Sequence, residues 1–105
     1  MVPLEISPTE VKQRIDTLTL IDVRETAEHQ LCQIPGARLI PMRTIPEQLK
    51  RLEELPGPLI IFCHHGVRSL RVVEWLREQG LTDCQSMAGG IEAWSLMVDR
   101  SVPRY

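Results

Sequence analysis

Residues 59–70 read LIIFCHHGVRSL. Leu59 to Phe62 form a continuous apolar run, the pattern of a strand buried on both faces of a parallel sheet. The run ends in Cys63, and His64, His65, Gly66, Val67 and Arg68 follow before a helix-forming stretch. This succession of strand, short loop and helix, with a thiol at the junction, decides how the rest of the chain is read.

Working outward, SLRVVEWLREQG (69–80) predicts a helix with Leu70, Val73 and Leu76 on its inner face. Gly80 suits its C-terminal cap. Upstream, TIPEQLKRLEEL (44–55) predicts another helix, capped by Thr44 and stopped by PGP at 56–58. LTLIDV (18–23) is rich in branched apolar residues and predicts a strand. PLEIS, RLIPM and CQSM are shorter strand candidates. Ser7, Pro8 and Glu10 form a helix-start pattern with a capping box. GGIEAWSLMV predicts a loop leading into a final helix, with Gly89 and Gly90 making a tight turn. Strands alternating with helices predict an α/β fold with a mainly parallel sheet. Sites in such sheets lie beyond the carboxyl ends of the strands, and Cys63 stands there.

The chain has 105 residues, 43% hydrophobic and 25% charged, with a formal net charge of −2. That length suits one domain, residues 1–105, with a core large enough to need no staples. The charge favours neither nucleic acid nor an anionic membrane as partner, so any positive field is local. No apolar run reaches membrane-spanning length. Cys32, Cys63 and Cys84 are widely spaced and odd in number, so a disulfide framework is not expected. The opening MVPLEISPTE lacks the basic flank and apolar stretch of a signal peptide. A cytoplasmic protein is expected.

Residues 64–69 include no proline, so each contributes a backbone N–H. A tight loop can turn several of them inward as an anion-binding nest, and the following helix adds its positive end. Arg68 brings a permanent charge, and Gly66 permits a bend. Such a setting favours a thiolate at Cys63 over the thiol. The simplest alternative is a small buried hydrophobe, but that role gains nothing from the glycine, arginine and histidines beside it. Metal binding is disfavoured because Cys63, His64 and His65 are consecutive rather than at chelating spacing. His64 and His65 are read as lining the entrance, with a solvated-loop role weighed equally.

Three segments in register carry a resemblance. CHHGVRS fits the C-x-x-G-x-R-[ST] loop of rhodaneses, the thiosulfate and related sulfurtransferases. IDVRETAEHQLCQIPGA (21–37) and GGIEAW (89–94) are similar to the family's upstream and downstream signatures. The ending DRSVPRY is similar to rhodanese domains that close larger sulfur-carrier-activating enzymes. The resemblance implies a rhodanese-like five-stranded, mainly parallel sheet with helices on both faces. It implies a persulfide on Cys63, charged by a small-molecule sulfur donor such as thiosulfate and discharged to cyanide or a thiol. Thioredoxin or a sulfur-carrier protein would be the macromolecular acceptors. No metal, no organic cofactor, no nucleic acid, no membrane and a monomer are expected.

Arg68 would orient an anionic donor, within a loop formed by His64, His65, Gly66, Val67 and Ser69. Asp22 and Arg24 match the upstream signature and are read as structural support that braces the turn after the second strand. Glu25 and Glu28 are read as a solvated face, Trp75 and Trp94 as packing. Cys32 stands where many members carry a glycine and is read as inert, with a resolving-thiol role as the alternative. Cysteine phosphatases that share this fold use C-x5-R. Here four residues separate Cys63 from Arg68, so phosphoryl and arsenate chemistry rank below sulfur transfer.

Overall fold

The structure is a computed structural model and describes residues 2–105. Five strands form one sheet: β1 (Glu5–Ile6), β2 (Thr19–Asp22), β3 (Arg38–Leu39), β4 (Leu59–Phe62) and β5 (Cys84–Met87). Their spatial order is β1-β5-β4-β2-β3, and every pairing is parallel. The five-stranded, parallel α/β sheet expected from the sequence is therefore present. β4 is the central strand, and all four of its side chains are buried. Ile61 stands in register with Ile21 on one side and Ser86 on the other.

Alternation along the strands divides the core in two. Ile21, Leu59, Ile61 and Cys84 face a layer containing Leu52 of α3 (Leu49–Glu54) and Val72, Val73 and Leu76 of α4 (Val67–Glu78). Leu20, Ile60, Phe62 and Met87 face Val11 of α1 (Pro8–Gln13) and Ile91 and Trp94 of α5 (Gly90–Met97). Burial of each such side chain is worth about 1.5–3 kcal/mol relative to exposure. Both layers thus pin the central strand whose end carries Cys63. Among the described residues, no helix is long and apolar enough to cross a membrane.

Several local expectations need correction. The expected helix over 44–55 is α helix only from Leu49, after two 3₁₀ turns at Met42–Thr44 and Pro46–Gln48. Pro46 lacks the N–H that would bond the Met42 carbonyl and extend the α ladder through this segment. The Thr44 hydroxyl binds Pro41 O at 2.8 Å instead of capping. The capping box at Ser7 is half made: Ser7 Oγ accepts from Glu10 N–H, while the Glu10 carboxylate turns to Arg14. The helix after Cys63 begins at Val67, two residues before Ser69, because Gly66 takes φ 99° and starts the turn early.

At the carboxyl end of β2, Asp22 and Arg24 are both fully buried. Arg24 Nε and Nη2 donate to the two Asp22 carboxylate oxygens at 3.0 and 2.8 Å. Arg24 also donates to the Cys32 and Glu28 carbonyls at 2.7 and 3.2 Å. One guanidinium therefore ties the end of β2 to the middle and the C-terminal cap of α2 (Thr26–Leu31). Burial works against its charge, yet the bonds to Asp22 and Tyr105 outweigh that and raise its proton affinity above the ordinary value.

Removing one partner of a buried pair strands the other. Arg24→Ala is expected to cost about 3–5 kcal/mol in urea unfolding. A loss below about 1 kcal/mol, the range of an exposed pair, would show that the brace is not structural.

Candidate active site

Cys63 follows β4 directly and continues its alternation, so its side chain enters the Ile21–Ile61–Val73 layer. It is 1% exposed. Two backbone N–H groups nevertheless point at its sulfur: Gly66 N lies 3.1 Å from Sγ and Ser69 N 3.4 Å. Ser69 Oγ is 3.5 Å from the sulfur and 2.7 Å from Ser86 Oγ. A rotating hydroxyl can accept from a thiol or donate to a thiolate. The site thus offers an anionic sulfur two amide donors, one hydroxyl and the positive end of α4, in a dry surrounding where each counts for more than in water.

The loop keeps its shape through α5. The Cys63 carbonyl accepts from Ile91 N–H at 2.9 Å, and the His64 carbonyl from Glu92 N–H at 3.1 Å. A Cβ on Gly90 would lie 2.4–2.5 Å from those same two carbonyl oxygens. Only a glycine allows this approach, so the GG of the downstream signature serves the cysteine loop as well as the turn into α5.

Outside the sulfur pocket the residues sort differently from the sequence reading. Val67 is exposed. His64 stacks between His65 and Tyr105, with ring centroids 3.8 Å apart on each side. Burial, and then the adjacent His65, lower the proton affinity of His64 below the usual imidazole value. His64, His65 and Glu92 bring one ligand atom each within 4.8 Å of one another. Glu92 also holds Arg104 at 2.6 Å.

Arg68 does not point freely into the site. Its Nη1 and Nη2 donate to the two oxygens of Glu28 at 2.8 and 2.9 Å. Glu28 is therefore no solvated residue, a correction to the reading above. The same carboxylate accepts from Tyr105 Oη at 2.7 Å and from Glu25 N–H at 3.1 Å. The Arg68 bonds, reinforced by Tyr105, hold Glu28 well below the usual carboxyl value, at about 2. Burial pushes the Tyr105 hydroxyl up to about 12, so it remains a donor. The sequence reads Glu28 only as solvated and says nothing of Tyr105 or Ser86, because no spacing rule connects them with Cys63.

The rhodanese-like domain family profile matches residues 7–97. The chain belongs to the rhodanese family. It is 32% identical over 89 residues to the thiosulfate sulfurtransferase GlpE of Pseudoalteromonas translucida, covering 85% of this chain and 84% of that protein. It is 36% identical over 95 residues to the chloroplastic rhodanese-like/PpiC domain-containing protein 12 of Arabidopsis thaliana. That match covers 87% of this chain but only 31% of the plant protein's length. A rhodanese-related protein from Thermoplasma volcanium has the same fold, with TM-score 0.84 and 30% identity over 91% of this chain and 94% of that one.

Within this rhodanese domain the departure at Cys32 has a clear location. Cys32 is buried in the layer of Phe62 and Trp94, on the opposite face of the sheet from Cys63. Arg24 Nη1 lies 3.6 Å from its sulfur. A resolving role for Cys32 would require its sulfur to cross the sheet. Trp94 is buried in the same layer, and Trp75 packs half-buried on the other.

The Glu28 shift has a pH consequence. A carboxyl lowered from 4.5 to about 2 stabilises the folded state above pH 4.5 and loses that contribution as pH falls through about 2. The stability advantage of the wild type over Glu28→Gln is therefore expected to shrink between those values. Urea titrations at stepped pH measure it; a gap that does not change with pH would contradict the pairing.

Proposed function

We propose that this domain is a sulfurtransferase that carries a sulfane sulfur as a persulfide on Cys63. The observation that carries the reading is the convergence of Gly66 N–H and Ser69 N–H on one sulfur. In the first step the Cys63 thiolate attacks the outer sulfur of thiosulfate. A Cys63 Sγ–S bond forms, the donor S–S bond breaks, and sulfite leaves with the bonding pair. In the second step cyanide or a thiolate attacks the outer sulfur of the persulfide, and the Cys63 thiolate departs. Negative charge stays on sulfur throughout, which is what fixed amide donors stabilise without reorganising.

Exchange on a single nucleophile needs neither a metal nor an organic cofactor. The exchange as written uses one nucleophile, and a monomer is the proposed state. Three free, buried cysteines suit a reducing compartment such as the cytoplasm. Acceptors would be cyanide, a small thiol, thioredoxin or the tail of a sulfur-carrier protein. Four residues separate Cys63 from Arg68, one fewer than in the C-x5-R phosphate loop, which favours sulfur transfer over phosphoryl or arsenate chemistry.

Intact-mass measurement after incubation with thiosulfate is expected to show a gain of one sulfur atom, removed by cyanide or a thiol. Cys63→Ser should show no gain, and Cys32→Ser should retain it. Arg68→Ala should weaken loading from thiosulfate. A gain that persists in Cys63→Ser would place the chemistry elsewhere.

A further inference from the structure

Within the sulfur-transfer reading, we propose that Glu28, clamped by Tyr105, is a specificity-determining residue. It occupies Arg68 and steers the site away from doubly charged oxyanion donors, toward sulfane donors of lower charge such as a simple organic persulfide, which carries at most one negative charge. A carboxylate has about four lone-pair sites, and in Glu28 all four have partners. Oε1 accepts from Arg68 Nη1 and Glu25 N–H; Oε2 accepts from Arg68 Nη2 and Tyr105 Oη. The pairing with Arg68 is bidentate, the geometry in which a guanidinium binds a carboxylate most strongly.

Tyr105 locks this arrangement. Its hydroxyl accepts from Arg24 Nη1 at 3.1 Å while donating to Glu28. Its ring lies on His64, nearly parallel at 9°. Glu28 thus cannot swing aside without breaking contacts that reach the buried Asp22–Arg24 brace. Tyr105 and Glu28 are 77 residues apart in sequence, so the clamp exists only in the folded chain.

Two neighbouring cations also have acidic partners. Arg104 pairs with Glu92, and Arg43 lies 3.6 Å from Glu25. A dianion arriving at Arg68 meets a guanidinium whose two Nη groups already serve a carboxylate, with that negative charge beside it. A donor with a single negative charge or none meets less of that opposition. A cleft of ≈ 480 Å³ lined by Val23, Glu25, Met42, Arg43, Pro46 and Arg68 reaches the same arginine. Its Val23, Met42 and Pro46 walls suit an organic substituent better than an oxyanion.

In its protonated form the persulfide gives a balanced step. The Cys63 thiolate attacks the terminal sulfur of R–S–SH, the donor S–S bond breaks, and RS⁻ leaves, taking up the terminal proton to give RSH and the Cys63 persulfide anion.

Glu28→Gln keeps an acceptor for the Glu25 N–H and so preserves the start of α2, while removing the charge. Tyr105→Phe removes only the clamping hydroxyl. Two readouts are compared with wild type. The first is the ratio of Cys63 alkylation by iodoacetate to that by iodoacetamide, read on the Cys63 peptide. The second is kcat/KM for thiosulfate, a dianion, relative to that for an alkyl persulfide, which carries at most one negative charge. In Glu28→Gln both ratios are expected to rise about 2- to 5-fold, the equivalent of one partly exposed ion pair. The kinetic gain should appear in KM for thiosulfate, and Tyr105→Phe should give a smaller rise in both. Ratios that stay flat or fall would overturn the proposal, since a merely structural Glu28 would not discriminate by reagent charge. Absence of sulfur loading from either donor in every form would overturn the sulfur-transfer reading, and the alkylation ratio would still decide whether Glu28 screens Arg68.

Discussion

Two peptide N–H groups aimed at one buried sulfur are the interaction on which the rest of this structure depends. A thiol at the end of an apolar strand would otherwise be a small core side chain. The amides of Gly66 and Ser69 make the same position hospitable to negative charge. Their aim requires a loop that leaves the sheet and turns into a helix within a few residues. That turn in turn requires the left-handed backbone of Gly66 and a side-chain-free approach at Gly90. The parallel sheet fixes where the loop begins, α4 where it ends, and α5 holds it from the side.

Charge around this pocket is arranged in pairs. Arg24 is spent on the fold, joining β2 to α2 through Asp22 and two carbonyls. Arg68 is shared between the site and Glu28. The positive field acting on the sulfur therefore comes first from peptide dipoles, which cannot be neutralised by a counter-ion, and only second from a guanidinium that can. The distinction separates stabilisation of the persulfide, which every donor needs, from recruitment of a charged donor, which is adjustable.

Much of the architecture was legible because it is local. The apolar run at 59–62, the Gly-capped helices and the alternation of strands with helices all follow from neighbours within a few residues. The position of Cys63 at a strand terminus follows from the same pattern. The 3₁₀ turns before Leu49 could have been inferred from Pro46 and the hydrogen bond it cannot make. The Glu28–Arg68 pair could not: its members are 40 residues apart, and they meet only because β2 and β4 are adjacent in the sheet. Within 25–31, Glu28 has the spacing of an exposed helix residue, and its sequence neighbours do not reveal a partner from another layer. Tyr105 was equally silent, since its role depends on how residues 98–105 fold back over His64.

The most direct test of the central claim is to follow the Gly66 and Ser69 amide resonances by ¹H–¹⁵N spectroscopy while sulfur is loaded onto Cys63 and then removed with a thiol. Both amide protons are expected to shift downfield on loading and to return on discharge. Sulfur loading that leaves both resonances unmoved would contradict the account, because the anion would then be held by groups other than these two.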